Sequence, residues 1–193
     1  TCIPVRAGAS VIAYIRWEQA AFGNPKTRGA ISLYDVDTGR TRVLTELTAP
    51  FGLDWAPDGR RLAVVSGSPT PRLGLLSVLT GELELIPQED ERPNYLWPRW
   101  SPDGAQIIYL YSKNGQMEAL DALDVRTRAT RRLIPWTDMP RDPDWSPDGT
   151  QLVFAAPDRP RTSSWDVFVM DSGGGPWTNL TRLLDAEEEQ PAW

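Results

Sequence analysis

The sequence predicts an all-β fold, a β-propeller of four-stranded antiparallel blades, and three observations predict it. One phrase recurs as Trp55-Ala-Pro-Asp-Gly59, Trp100-Ser-Pro-Asp-Gly104 and Trp145-Ser-Pro-Asp-Gly149, at constant steps of 45 residues, and Trp193 follows 48 residues later. Self-similarity at such a period marks stacked supersecondary units. Each phrase leads at the same offset into an apolar run, Leu62-Ala-Val-Val65, Ile107-Ile-Tyr-Leu110 and Leu152-Val-Phe-Ala155. Runs of this length, bounded by turn residues, are buried strands. No helical periodicity lies between them, and four short strands per unit is the pattern of a blade.

The elements follow in order within each unit. Proline sets φ for the first central turn position, aspartate bonds nearby amides, and glycine accepts positive φ, so Trp, turn and apolar run become strand, tight connection, strand. A second strand comes next: Ile31-Ser-Leu-Tyr-Asp-Val36 runs into Asp37-Thr-Gly39, and Leu73-Gly-Leu-Leu-Ser-Val78 into Leu79-Thr-Gly81. Val167-Phe-Val-Met170 runs into Asp171-Ser-Gly-Gly-Gly175, whereas the third unit ends at Asp124-Val-Arg-Thr-Arg128 without the glycine. A third strand is expected at 41–44, 83–86, 130–134 and 177–180, before a Pro-containing return to the next Trp.

The first unit lacks the Trp phrase, and Val11-Ile-Ala-Tyr-Ile15 takes the place of the apolar run. Residues 1–193 therefore form one propeller domain or propeller segment, with units at about 10–55, 56–100, 101–145 and 146–193. Two alternatives stand open. Trp193 supplies the strand beside Val11-Ile-Ala-Tyr-Ile15 and closes a four-bladed ring, or the four units belong to a larger ring; an arc leaves unpaired strand edges.

Trp-Ser-Pro-Asp-Gly, an apolar strand, an Asp-containing strand and a Leu-Thr ending together resemble the WD-repeat-like blades of TolB-type propellers. The fourth unit matches best, through Val167-Phe-Val-Met-Asp171, Gly173 to Gly175 and Asn179-Leu-Thr181. The resemblance covers 11–193 and implies a periplasmic or extracellular protein of the bacterial envelope that binds protein partners. Nothing resembles the separate N-terminal domain of TolB. Blades of this type also serve peptidases, lyases and sugar-binding proteins, so fold alone does not give function.

Composition narrows the chemistry. The chain has no histidine, which excludes Ser-His-Asp and Cys-His catalysis and His-based metal sites within it. No Gly-x-Ser-x-Gly elbow occurs, and Gly173-Gly-Gly175 aligns with hairpin turns rather than with a phosphate loop. Asp35-Val-Asp-Thr-Gly39 opens like a calcium loop but lacks the later acidic ligand. No catalytic residue, metal or cofactor is expected. The net charge of −6, with acid at 82–91 and 185–189, argues against a nucleic-acid partner. No apolar run is long enough to span a membrane. Cys2, the single cysteine, excludes a disulfide framework; a lipid anchor there is the less favoured reading beside an incidental thiol.

Trp55, Trp100, Trp145 and Trp193 are repeat positions and read as packing between sheets. By the resemblance, the residues just before them lie near the mouth of a central channel. These vary most: Gly52-Leu-Asp54, Trp97-Pro-Arg99, Asp142-Pro-Asp144 and Gln190-Pro-Ala192. Tyr95, Trp97 and Arg99 form an aromatic-plus-arginine group of the kind enriched at interface hot spots. Asp142 and Trp17, the latter opening a long loop at 17–29 that includes Phe22, complete the candidate binding residues. The expected function is a non-catalytic protein-binding scaffold, alone or as a subunit of a larger assembly. The alternatives are the specificity segment of a larger enzyme such as a prolyl-oligopeptidase-type peptidase, and a carbohydrate-binding propeller.

Overall fold

A computed structural model of the chain describes residues 10–17, 28–67, 71–87, 93–113, 116–135, 138–157, 165–182 and 190–193. The described residues form fifteen strands in four antiparallel sheets. The first sheet runs β1 (Val11–Trp17), β2 (Arg28–Asp35), β3 (Thr41–Thr48). The second contains β4 (Gly52–Trp55), β5 (Arg61–Ser66), β6 (Arg72–Ser77) and β7 (Leu83–Leu85) in sequence order. The third contains β8 (Pro93–Trp100), β9 (Gln106–Lys113), β10 (Gln116–Asp124) and β11 (Thr130–Ile134). The fourth contains β12 (Arg141–Trp145), β13 (Gln151–Pro157), β14 (Trp165–Asp171) and β15 (Trp177–Asn179). Sequential hairpins with no crossover are what short, turn-bounded strands favour.

Each repeat Trp ends the first strand of its sheet. Trp55 pairs with Leu62 and Trp145 with Leu152, so the Pro-Asp-Gly turn joins the first strand to the second. As expected, β1 occupies the place of β5, β9 and β13, and the first sheet has three described strands. One alternative differs from this arrangement. Trp193 closes no sheet: residues 190–193 form no strand, and its ring is 50% exposed, whereas Trp55, Trp100 and Trp145 are buried. Its backbone N–H instead faces Asp144 Oδ2 at 3.5 Å.

The chain divides into two compact units, Thr1–Pro98 and Arg99–Trp193. In the first, Ala13, Ile31 and Leu33 of the first sheet pack with Leu53, Trp55, Leu62, Val64 and Leu76 of the second. In the second unit the buried set includes Ile107, Leu110, Leu120, Leu123, Leu152 and Met170. There Phe154 stacks on Phe168 at 5.8 Å and meets Trp177 edge-on at 5.2 Å. Each fully buried aliphatic or aromatic side chain contributes about 1.5–3 kcal/mol. This burial accounts for the apolar runs seen in the sequence.

The repeated turns are built from the same bonds. Ser101 Oγ donates to Asp103 Oδ1 at 2.6 Å and accepts from Gln106 N at 2.9 Å. Ser146, Asp148 and Gln151 repeat the pair at 2.7 and 2.9 Å. The hairpin turns between the last two strands of each sheet carry a second shared device. Asp35 accepts from Thr38 N, Asp124 from Thr127 N, Asp171 from Gly173 N, and the Ser77 hydroxyl from Thr80 N. In the second, third and fourth sheets both kinds of turn sit at the same end. They are tied together by Val78 N to Arg60 O, Val125 N to Ala105 O and Ser172 N to Thr150 O, at 2.9–3.0 Å.

Candidate functional site

The repeat-making turns occupy one end of each sheet, so the varying residues before the Trp occupy the other. Backbone geometry marks two positions in the segments before the repeat Trp. One, held by Ala49 and Met139 at φ of 44° and 49° before Pro50 and Pro140, lies six residues ahead of it. The other lies three ahead. Trp97, Asp142 and Gln190 have φ of 43°, 46° and 58°, and each precedes a proline: Pro98, Pro143 and Pro191. A residue before proline is ordinarily driven to extended conformations. A non-glycine side chain at positive φ costs of order 1–3 kcal/mol, and such strain clusters where a side chain is displayed for use. Three equivalent positions hold it with three unrelated residue types.

The local cause is visible in the fourth sheet. Arg141 pairs with Ala155 and Asp144 with Val153, so Asp142 and Pro143 stand opposite one residue. That is a β-bulge, which re-aims side chains at strand ends. The Arg141 guanidinium lies over the Trp165 ring at 4.1 Å, a cation–π contact beside the bulge. In the second sheet the equivalent residue is Gly52, which pairs regularly with Val65. A Cβ on Gly52 would stand 3.1 Å from Pro98 Cδ and 3.6 Å from Trp97 N, so the glycine lets the Trp97-Pro98 backbone approach.

Trp97 lies in β8 with 45% of its surface exposed. Arg99 lies two residues on, half-buried, and its carbonyl accepts from Trp145 Nε1 at 3.3 Å. Tyr95 belongs to the same strand. Asp142 is half-buried in β12. Trp17 is the last residue of β1, 37% exposed, and pairs with Gly29. A Cβ on Gly29 would stand 2.8 Å from Pro50 Cγ and 3.4 Å from the Trp17 ring, which places Trp17 beside the chain leading into Gly52. The first compact unit thus brings two exposed tryptophans, Trp17 and Trp97, to the same sheet ends through Pro50 and Gly52. Of the expected long loop at 17–29, Trp17 lies in β1 and Arg28 and Gly29 in β2; residues 18–27, Phe22 among them, and Cys2 lie outside the described residues.

Two polar features escape sequence reading. Asp121, buried in β10, accepts from Arg132 Nε and, at 3.2 Å, from Arg132 Nη2, and the guanidinium lies 5.2 Å from the Tyr111 ring. Burial raises the Asp121 carboxyl above its ordinary range, and Arg132 pulls it back. Asp35, by contrast, is lowered by the turn amide and hydroxyl of Thr38. Its carboxylate caps a hairpin, the same task as Asp124. Among the described residues no three of His, Cys, Asp and Glu gather as a metal-ligand set, and no helix is long and apolar enough to cross a membrane.

Comparison with known proteins places this arrangement. No protein of curated function matches the chain by sequence. Among solved structures it is similar to TolB from Acinetobacter baumannii, at 22% identity and a TM-score of 0.66, covering 92% of this chain and 42% of that one. It is also similar to an oligogalacturonate lyase from Vibrio parahaemolyticus, at 13% identity and a TM-score of 0.70, covering 88% of this chain and 50% of that one. An acylaminoacyl peptidase from Pyrococcus horikoshii matches at 13% identity and a TM-score of 0.65, covering 94% and 32%. The chain spans half or less of the length of these three proteins. At these identities the likeness is one of fold. The TolB beta propeller domain matches residues 8–193, and the chain belongs to that family.

Proposed function

We propose that this chain is a protein-binding propeller segment of the bacterial cell envelope, with no catalytic role of its own. One observation carries the reading: Trp97 is held in a strained left-handed backbone before Pro98 and remains 45% exposed. A large aromatic on a rigid strand end loses little conformational entropy on binding and suits a hot spot. Trp17 extends the same surface. The envelope setting and the protein partner come from the TolB relationship.

The test is affinity purification of the tagged chain from its native host, alongside Trp97→Ala and Trp17→Ala variants. A protein retained at stoichiometric yield by the wild type and lost from Trp97→Ala supports the reading. Unchanged retention by both variants sinks it. Similarity to a puromycin hydrolase and to an acylaminoacyl peptidase favours a second reading, a specificity segment of a larger hydrolase. A hydrolase domain encoded beyond Trp193 in the same gene would select that reading.

A further inference from the structure

In three sheets a strand ending in Trp flanks the apolar strand, whereas β1 has no such neighbour among the described residues. Ser10 O accepts from Val36 N at 2.6 Å, so Ile12 and Tyr14 exchange backbone bonds with β2. Val11, Ala13 and Ile15 turn their N–H and C=O groups the other way, along a sheet edge. The register of a strand on that edge is set. Ile12 pairs with Tyr34 as Leu62 pairs with Leu76 and Leu152 with Met170. Leu62 and Leu152 stand beside Trp55 and Trp145, so the place beside Ile12 is one for a Trp.

One face of the same sheet is also uncovered. Val11, Ala13, Ile15, Ile31 and Leu33 pack with the second sheet. By strand alternation Ile12, Tyr14, Tyr34 and Val43 lie on the opposite face. There Tyr34 is 37% and Val43 44% exposed, and Ile12 and Tyr14 are half-buried. Leu62 and Val64, the counterparts of Ile12 and Tyr14 in β5, are fully buried.

Residues 141–193 carry the complement of both features. Gln190-Pro-Ala-Trp193 has the form of Trp97-Pro-Arg-Trp100 and Asp142-Pro-Asp-Trp145, and Gln190 already holds φ of 58°. It pairs with no described strand. In the fourth sheet, Phe154 and Phe168 meet Trp177 on one face. On the other, Val153 pairs with Val169 as Ala13 pairs with Leu33. Val167 and Val169 are only half-buried there, and Leu180 is 56% exposed.

We propose that a second copy of this chain docks on the first sheet. Its Gln190-Pro-Ala-Trp193 pairs with β1, and its Val167, Val169 and Leu180 cover Tyr34 and Val43. The contact is heterologous, each copy offering one half to its neighbour. Trp193 stands beside Ile12, and Ala192 exchanges backbone bonds with Ala13, as Asp54 does with Ala63. Residues 2–5 have the spacing of such a strand in sequence, but their Pro4 falls at the position of Asp54, where the ladder needs an N–H.

Analytical ultracentrifugation of the whole chain across the micromolar range tests this. The wild type is expected to sediment as a dimer or larger assembly. Val43→Glu and Trp193→Ala, on opposite halves of the contact, should each raise its dissociation constant about tenfold or more. Mixing the two variants should restore a mixed assembly, because one supplies an intact face and the other an intact strand. Tyr34→Glu takes the place of Val43→Glu should that variant lose its far-ultraviolet circular dichroism. A wild type that stays monomeric would overturn the proposal. So would association that both variants leave unchanged, or variants that fail to associate when mixed.

Discussion

Ser146 donates its hydroxyl proton to Asp148 Oδ1 at 2.7 Å while accepting from Gln151 N at 2.9 Å, and that pair of hydrogen bonds locks the turn into β13. Ser101 does the same for Asp103 and Gln106. The second sheet has Ala56 at this position; there Asp58 Oδ1 still accepts from Arg60 N at 2.8 Å, as Asp103 does from Ala105 N, but no hydroxyl reaches it, and its Oδ2 stands 3.5 Å from Arg61. Ala56→Ser is therefore expected to stabilise the chain by about 0.5–1.5 kcal/mol, and Ser146→Ala to destabilise it by a similar amount. Thermal melts register this as a shift of about 2–4 °C per kcal/mol at this size. A fall in Tm for Ala56→Ser would show that the second turn is packed too tightly to take the hydroxyl.

The same turns set an acid limit on stability. Asp148 sits at about 2, held there first by the Ser146 hydroxyl and then by the Thr150 amide and hydroxyl. Asp103 is lowered by Ser101 and the Ala105 amide. Unfolded aspartate titrates near ~3.9. The folded state binds these protons less readily, so the contribution is complete above about pH 4 and is lost as pH falls towards 2. Comparing Tm across that range, the gap between wild type and Asp148→Asn is expected to be widest above pH 4 and to narrow towards pH 2. A constant gap would mean that the carboxylate's charge is not what the turn uses.

The frame was legible in sequence because its grammar is local. A turn such as Pro57-Asp58-Gly59 and a run such as Leu62-Ala-Val-Val65 need only neighbouring residues to declare strand, turn and strand. The devices that distinguish one sheet from another are not local. Arg131 finds its acceptors 41 and 42 residues ahead, and Asp121 finds Arg132 across a bulged ladder. Nothing in the spacing of either says which face it will occupy. The positive φ at Trp97 and Asp142 contradicts the ordinary preference before proline, so local rules point away from it. Variation before the repeat Trp did mark those positions, because the regular frame leaves them out of the shared turns. Trp193 shows the converse: it fits the repeat by spacing, yet it lies outside every described strand.

Asp121 and Arg132 form a pair whose members are not equivalent. The carboxylate is buried and the guanidinium is partly exposed. Removing the arginine strands a charge, whereas removing both need not. The first sheet offers the substitute, since Ser32 and Val43 stand at the equivalent paired positions. Arg132→Val alone is expected to cost about 2–3 kcal/mol, less than a fully buried pair because water reaches the arginine. Adding Asp121→Ser should recover most of that loss in urea melts. Burial raises the folded Asp121 carboxyl, so protonation relieves the single variant, and its deficit should shrink as pH is lowered. A double variant as unstable as the sum of both single variants would show that the two side chains act independently.

Trp97 offers a test of strain apart from binding. Alanine there keeps the left-handed backbone and its penalty of about 1–2 kcal/mol, which glycine escapes. Glycine in turn loses about 0.4–1 kcal/mol through the greater freedom of the unfolded chain. The first effect is the larger, so Trp97→Gly should exceed Trp97→Ala in stability by roughly 0.5–1 kcal/mol in urea melts. Both variants remove the indole, so both should lose a partner that the wild type retains. If alanine proves the more stable, the backbone at Trp97 is relaxed and its exposure is not maintained by strain. If glycine alone loses the partner, the surface is recognised through the fixed backbone of the Trp97-Pro98 segment and not through the ring.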